Sequence, residues 1–195
     1  MANFSNAKSI TFFDTEVTSL DINRSALLDI TIVTDWEGGS QKVFTTKVKP
    51  TARDLEQASD EALKIVGYSE EAWKDAPSFE DVAPEIAKRL KWGPIVAHNA
   101  IFDYRQLSSI FTRNGWTEIF QGSSDISKQE FNFSSLIYDT RALSHIFLDC
   151  ERQNMKVLRE HFGLSDKNAH SSLKDTADCR TIFYNIIAKT LGSNA

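Results

Sequence analysis

Apolar positions along the chain form three β-like runs at its start and helical periods after them. Residues 10–17 (ITFFDTEV), 28–36 (LDITIVTDW) and 43–49 (VFTTKVK) are rich in β-branched and aromatic side chains, which suit a pleated surface. Between the second and third runs lies Glu37-Gly38-Gly39-Ser40, and a Gly-Gly pair favours a tight hairpin turn. The three runs predict an antiparallel meander. Residues 53–90 are polar and helix-prone, and Phe79, Val82, Ile86 and Leu90 recur there at helical spacing. Gly93-Pro94 breaks that pattern, and residues 94–97 (PIVA) read as a short buried strand. Residues 100–113 read as a helix ending near Asn114-Gly115. Residues 121–132 are polar and irregular, as in a surface loop. Residues 135–139 (SLIYD) read as a fifth strand, and helical patterns follow at 140–147, 153–162 and 171–191. Strands that alternate with helices after a meander predict a mixed α/β sheet covered by helices.

Bulk properties narrow the class. A chain of 195 residues fits one domain, residues 1–195, with a sizeable core. Apolar residues at 41% and charged residues at 25% are those of a soluble globular protein. No apolar run approaches the ~20 residues of a membrane helix, so no membrane partner is expected. Residues 1–6 lack a basic region followed by an apolar stretch, so no secretory signal is expected. Cys150 and Cys179 form no CxxC pair, which predicts a reduced, cytoplasmic chain. The net charge of −5 argues against tight nonspecific duplex binding. It argues less against an enzyme whose site is itself a cluster of carboxylates holding cations.

Three short motifs could carry chemistry. Asp14 and Glu16 lie two apart in the first strand, so their side chains share a face. Two carboxylates there repel unless a cation lies between them; the alternative is a strand end with solvated acids. In His98-Asn99-Ala100-Ile101-Phe102-Asp103, Asn99 is a candidate N-cap and Asp103 falls in the first helical turn. Asp103 is either an acid favoured near a helix N-terminus or a third carboxylate at a strand's carboxyl end, where open α/β sheets bind ligands. In His170-Ser171-Ser172-Leu173-Lys174-Asp175, five helical positions turn through about 500°, so His170 and Asp175 do not share a helix face. His170 is therefore expected in the preceding loop, with Asp175 one turn inside the helix. Read alone, His170 beside two serines is an ordinary surface residue.

Taken in order, DxE, HNxxFD and HxxxxD resemble the DEDDh exonucleases of the DnaQ-like group over residues 11–187. Lesser echoes are Ile65-Val66-Gly67-Tyr68, Tyr138-Asp139-Thr140-Arg141-Ala142-Leu143 and residues 158–164 (LREHFGL). One departure is Ser19, where the family commonly carries Gly; Ser is less free in φ, so the turn after the strand is expected to differ slightly. The resemblance implies an RNase H-like α/β fold with a mixed five-stranded sheet in the order 3-2-1-4-5. In it, strands 1–3 form the antiparallel meander and strands 4–5 run parallel. It implies 3′-to-5′ removal of nucleoside monophosphates from single-stranded DNA or RNA ends.

Asp14, Glu16, Asp103 and Asp175 become the expected ligands of two divalent cations, Mg²⁺ or Mn²⁺, which prefer hard oxygen donors. His170 becomes the expected general base, since imidazole titrates near neutral pH. Thr15, Thr18, Leu20 and Phe102, beside those acids, become expected substrate contacts. Phe102 has packing in the core as its alternative, since most of the 13 Phe must be packing residues.

Arg152, Lys156 and Arg159 recur at i, i+4 and i+7 and read as a solvated basic stripe, or as a guide for a nucleic-acid backbone. Met155, Leu158 and Phe162 read as the buried stripe of the same helix. A homodimer or a polymerase partner remains open, and an inactive binding domain is the contrasting reading. Residues 188–195 are too short for a separate docking domain, which favours stand-alone action.

Overall fold

The computed structural model describes residues 7–91, 93–119 and 129–192. The β-like runs become β1 (Ser9–Val17), β2 (Leu27–Trp36) and β3 (Gln41–Lys47), joined as antiparallel neighbours. The β2–β3 turn uses Gly38 and Gly39 at φ +91° and +89°, a region that side chains other than glycine's rarely enter. Four short helices follow: α1 (Ala52–Glu56), α2 (Asp60–Val66), α3 (Glu70–Trp73) and α4 (Phe79–Leu90). Each starts at a hydroxyl residue whose oxygen accepts from the first turn: Thr51, Ser59, Ser69 and Ser78. These caps divide the helix-prone stretch of residues 53–90 into separate pieces.

β4 (Ile95–Ala97) then pairs parallel with β1, and α5 (Ala100–Arg113) leaves its carboxyl end. After α5 come β5 (Thr117–Glu118) and β6 (Glu130–Phe131), which pair parallel as a separate two-stranded sheet. The loop expected over 121–132 lies outside the described residues as far as 128, and residues 130–131 are strand instead. β7 (Ile137–Asp139) pairs parallel with β4, and α6 (Thr140–Phe147), α7 (Met155–Phe162) and α8 (Ser172–Gly192) complete the chain. The main sheet runs β3-β2-β1-β4-β7, the expected arrangement with β7 in the fifth place.

Strand alternation sorts the core into two sides. Phe13, Val17, Ile30 and Ile32 pack with residues of α4 and α5, including Ile86, Leu90, Leu107 and Phe111. Ile10, Phe12 and Val33 pack on the other face against Cys179 and Phe183 of α8. β1 therefore has helices on both faces, and each of its side chains is committed to one side or the other.

Candidate active site

Asp14 and Glu16 continue the row of Ile10 and Phe12, so they face α8. There a carboxylate oxygen of Asp175 lies within 4.8 Å of oxygens from both. Thr15 belongs to the opposite row and faces α5. Its N–H and hydroxyl both donate to Asp103 Oδ1, at 3.1 and 2.6 Å. Asp103 thus reaches the strand from the other side of the sheet and is 4% exposed. It is not one of the three acids within 4.8 Å of each other, yet after burial it is the strongest influence on Asp14.

The electrostatics of the cluster follow from burial and repulsion. Burial, then Asp103, Glu16, Asp175 and Asp29, hold the Asp14 carboxyl well above the usual carboxylate range. Burial, with Asp175, Asp29 and Asp103 behind it, pushes Glu16 from its ordinary 4.5 to about 8. Asp103 rises by burial to about 7, against the hydrogen bonds from Thr15. Asp175 is raised by burial, with Arg159 and His170 pulling it back. Four acids whose pKa values are all raised by burial, three of them within reach of one another, are short of cations, and an all-oxygen donor set fits a hard divalent ion.

His170 sits in the loop before α8, as its spacing required, exposed and with a left-handed backbone at φ +64°. Asp175 feels an electrostatic pull from it. Asn99 occupies the N-cap position of α5 at φ +65°, but its side chain makes no cap bond. Instead its N–H donates to Asp139 Oδ1 at 2.9 Å, tying the ends of β4 and β7 together. His98 shares a hydrogen bond with the Thr140 hydroxyl at 3.0 Å, and burial lowers its pKa to about 4, so it is a neutral brace.

The expected substrate contacts divide. Thr15 and Thr18 are buried, and their hydroxyls are engaged within the protein: Thr15 on Asp103, and Thr18 accepting from the Ala26 N–H at 2.8 Å. Leu20 is 77% exposed at the mouth of the β1–β2 loop. Phe102 is partly buried against the α4–α5 core. Ser19 keeps a negative φ, and its hydroxyl accepts from the Asp21 N–H at 3.1 Å, so a side-chain bond shapes the turn.

The basic stripe requires correction. α7 begins at Met155, so Arg152 precedes the helix, and Arg159 is 3% exposed and bonded to Asp175 and Asp178. Of the three, Arg152 and Lys156 remain exposed. Asp29 was not read as part of the site. It is the register partner of Glu16, shares the α8 face, and accepts from the Ser172 hydroxyl at the start of α8. An acid inside the apolar run LLDITIV, opposite the DxE strand, was the available signal.

A sheet of this order, with acids at the carboxyl end of its central strand, defines the class of RNase H-like nucleases. The nuclease domain of 3′hExo, a DEDDh family member bound to rAMP, superposes with a TM-score of 0.70. It is 14% identical, and the match covers 94% of each chain. Exonuclease X, solved with 5′-overhanging duplex DNA, gives a TM-score of 0.63 at 19% identity, over 92% of this chain and 91% of that one. Residues 11–183 match the RNase T family model, described as Exonuclease, and the chain belongs to that family.

Among sequence relatives, a PolC-type DNA polymerase III from Thermotoga petrophila is 27% identical over 95% of this chain. The epsilon subunit of DNA polymerase III from Treponema pallidum is 25% identical over 92% of this chain and 77% of its own length. The chain spans only 12% of the PolC-type polymerase. Among the described residues, no helix is long and apolar enough to cross a membrane.

Proposed function

We propose that the chain is a metal-dependent 3′–5′ exonuclease. It releases nucleoside monophosphates from single-stranded DNA or RNA ends, as a cytoplasmic protein with both cysteines free. The observation that carries this reading is the convergence of Asp14, Glu16 and Asp175 within 4.8 Å, with Asp103 adjoining them. These four would hold two divalent ions, Mg²⁺ or Mn²⁺. Such ions, when bound, stabilise charge on the attacking and leaving oxygens of a phosphodiester and ease deprotonation of a water.

The chain's own residues do the rest. Thr15 keeps Asp103 turned toward the strand. His170, in its neutral form, takes the proton of the attacking water. Leu20 and Phe102 offer apolar surface on which terminal bases can stack without reading sequence. Thr15 and Thr18, with their hydroxyls engaged, contribute by holding the backbone beside the acids. The deciding experiment incubates the protein with 3′- and 5′-labelled single-stranded DNA and RNA in Mg²⁺, with and without excess chelator. Monophosphates released stepwise from the 3′ end, and none in chelator, are the expected products. Hydrolysis undiminished by chelator defeats the reading.

A second reading, docking to a DNA polymerase for proofreading, rests on the relatives being PolC-type polymerases and epsilon subunits. Co-purification with a replicative polymerase is its test, and a chain that remains a lone monomer or a homodimer in that assay speaks against it.

A further inference from the structure

Among the described residues, Arg159 is the most enclosed cation whose contacts touch the site. It lies on α7, outside the three motifs, and all of its guanidinium nitrogens face carboxylates. Nε donates to Asp178 Oδ2 at 2.6 Å, Nη2 donates to Asp175 Oδ1, and Nη1 lies 3.7 Å from Asp166 Oδ1. Asp178 is 6% exposed on its side chain and also receives Lys174 Nζ. Stability alone gives little reason for such an arrangement. Desolvating an ion network costs several kcal/mol per ion, and an apolar replacement of similar volume is often neutral or stabilising.

The geometry supplies another reason. Asp14 and Glu16 stand on a central strand with helices on both faces. Asp175 stands one turn into a helix that follows an irregular loop. Before a metal arrives, repulsion from Asp14 and Glu16 favours any rotamer that turns Asp175 away. Among the described residues, Asp175 is the one of the four acids hydrogen-bonded to a cation.

We propose that Arg159 is a positioning residue that holds the Asp175 carboxylate toward Asp14 and Glu16 and so prepares the metal site before metal binds. The inference rests on the proposed metal-dependent reading of the site. It makes a prediction whose sign separates it from simple electrostatics. Deleting the Arg159 cation should strengthen metal binding through charge alone, and deleting it together with the Asp178 anion should leave binding about unchanged, whereas losing a positioning contact should weaken it in either case.

The test is Mn²⁺ titration of the full chain without substrate, by calorimetry or electron paramagnetic resonance, alongside thermal melting. Arg159→Met combined with Asp178→Asn removes the ion network without stranding a buried charge on Asp178. Arg159→Lys keeps the charge, loses the planar fork and serves if the double variant does not fold. The expected result is Mn²⁺ affinity 10–100-fold weaker in the double variant, the usual effect of removing a group that orients a ligand, and a smaller loss for Lys. A folded variant that binds Mn²⁺ as tightly as the wild type, or more tightly, overturns the role of Arg159. Wild-type protein that binds no Mn²⁺ overturns the metal site itself.

Discussion

Asp103 and Asp175 approach the same strand from opposite faces of the sheet and are held by opposite means. Asp103, in the first turn of α5, is buried against the sheet and fixed by two neutral donors from Thr15, one of them backbone. Asp175 is on the α8 side and fixed by the Arg159 guanidinium. The neutral anchor brings no positive charge to offset Asp103, whose carboxylate is, after burial, the largest influence on Asp14. The charged anchor offsets part of Asp175's charge while it steadies the group. A site assembled from two sides of a sheet therefore has one acid held by neutral donors alone and one held by a cation.

Removing the acids tests this most severely. Asp14→Ala, Glu16→Ala, Asp103→Ala and Asp175→Ala should each lower turnover by orders of magnitude while the melting temperature stays near that of the wild type. Metal clamping supplies several kcal/mol of transition-state stabilisation. A folded variant with near-normal rate would show that its acid is structural, and Asp103, the more buried of the pair, is the one to examine first.

His170→Asn should lower kcat by roughly 10²–10⁴-fold, the usual worth of a general base. KM and Mn²⁺ affinity should hold, because the ring is neither ligand nor binding contact. Asn tolerates the left-handed backbone at φ +64° better than Ala and so isolates the loss of the imidazole. Full rescue by added metal would instead make His170 a residue that organises the ions.

Thr15→Val keeps shape and the backbone donor but deletes the hydroxyl donated to Asp103. A hydrogen bond to a charged group is worth about 1.5–3 kcal/mol, so kcat should fall by roughly 10- to 100-fold. An unchanged rate would mean that the backbone donor alone positions Asp103 and that the contrast with Asp175 is overstated.

The smallest effect is linkage to pH. Glu16 has a folded pKa of about 8 against an ordinary 4.5, so between those values the folded state binds more protons than the unfolded one. Stability without metal should therefore fall as pH rises through that window, with the penalty complete above about 8. Metal competes with those protons, so Mg²⁺ should raise the melting temperature more at pH 8 than at pH 6. An equal increment at both values would detach Glu16 from metal binding.

Much of this was legible in the chain because it depends on local periods. The parity of β1 alone places Asp14 and Glu16 together, and the five-residue gap alone places His170 in a loop. The helices of residues 52–73 merged into one stretch as periodicity, and the capping pairs that divide them, such as Thr51 with Asp54, were the signal left unread. β5 and β6, two residues each, are too short to leave a pattern. Arg159 was misplaced because a helical wheel gives spacing but not the direction in which tertiary packing turns it. Once α7 leans on α8, position 159 points inward at two acids.

α8 is fastened to β2 at two places. The Ser172 hydroxyl donates to Asp29 at its start, and about two turns further on Arg180 Nε and the Tyr184 hydroxyl meet Asp35 at 2.6 and 2.7 Å. The part of the helix from Ser172 to Tyr184, which delivers Asp175, thus cannot lift away without breaking a sheet contact. Its interior amides should exchange with solvent only when the whole sheet opens, and on heating the nuclease should lose its acid cluster and its tertiary structure in one event. No partly unfolded form would keep the sheet while α8 drifts free.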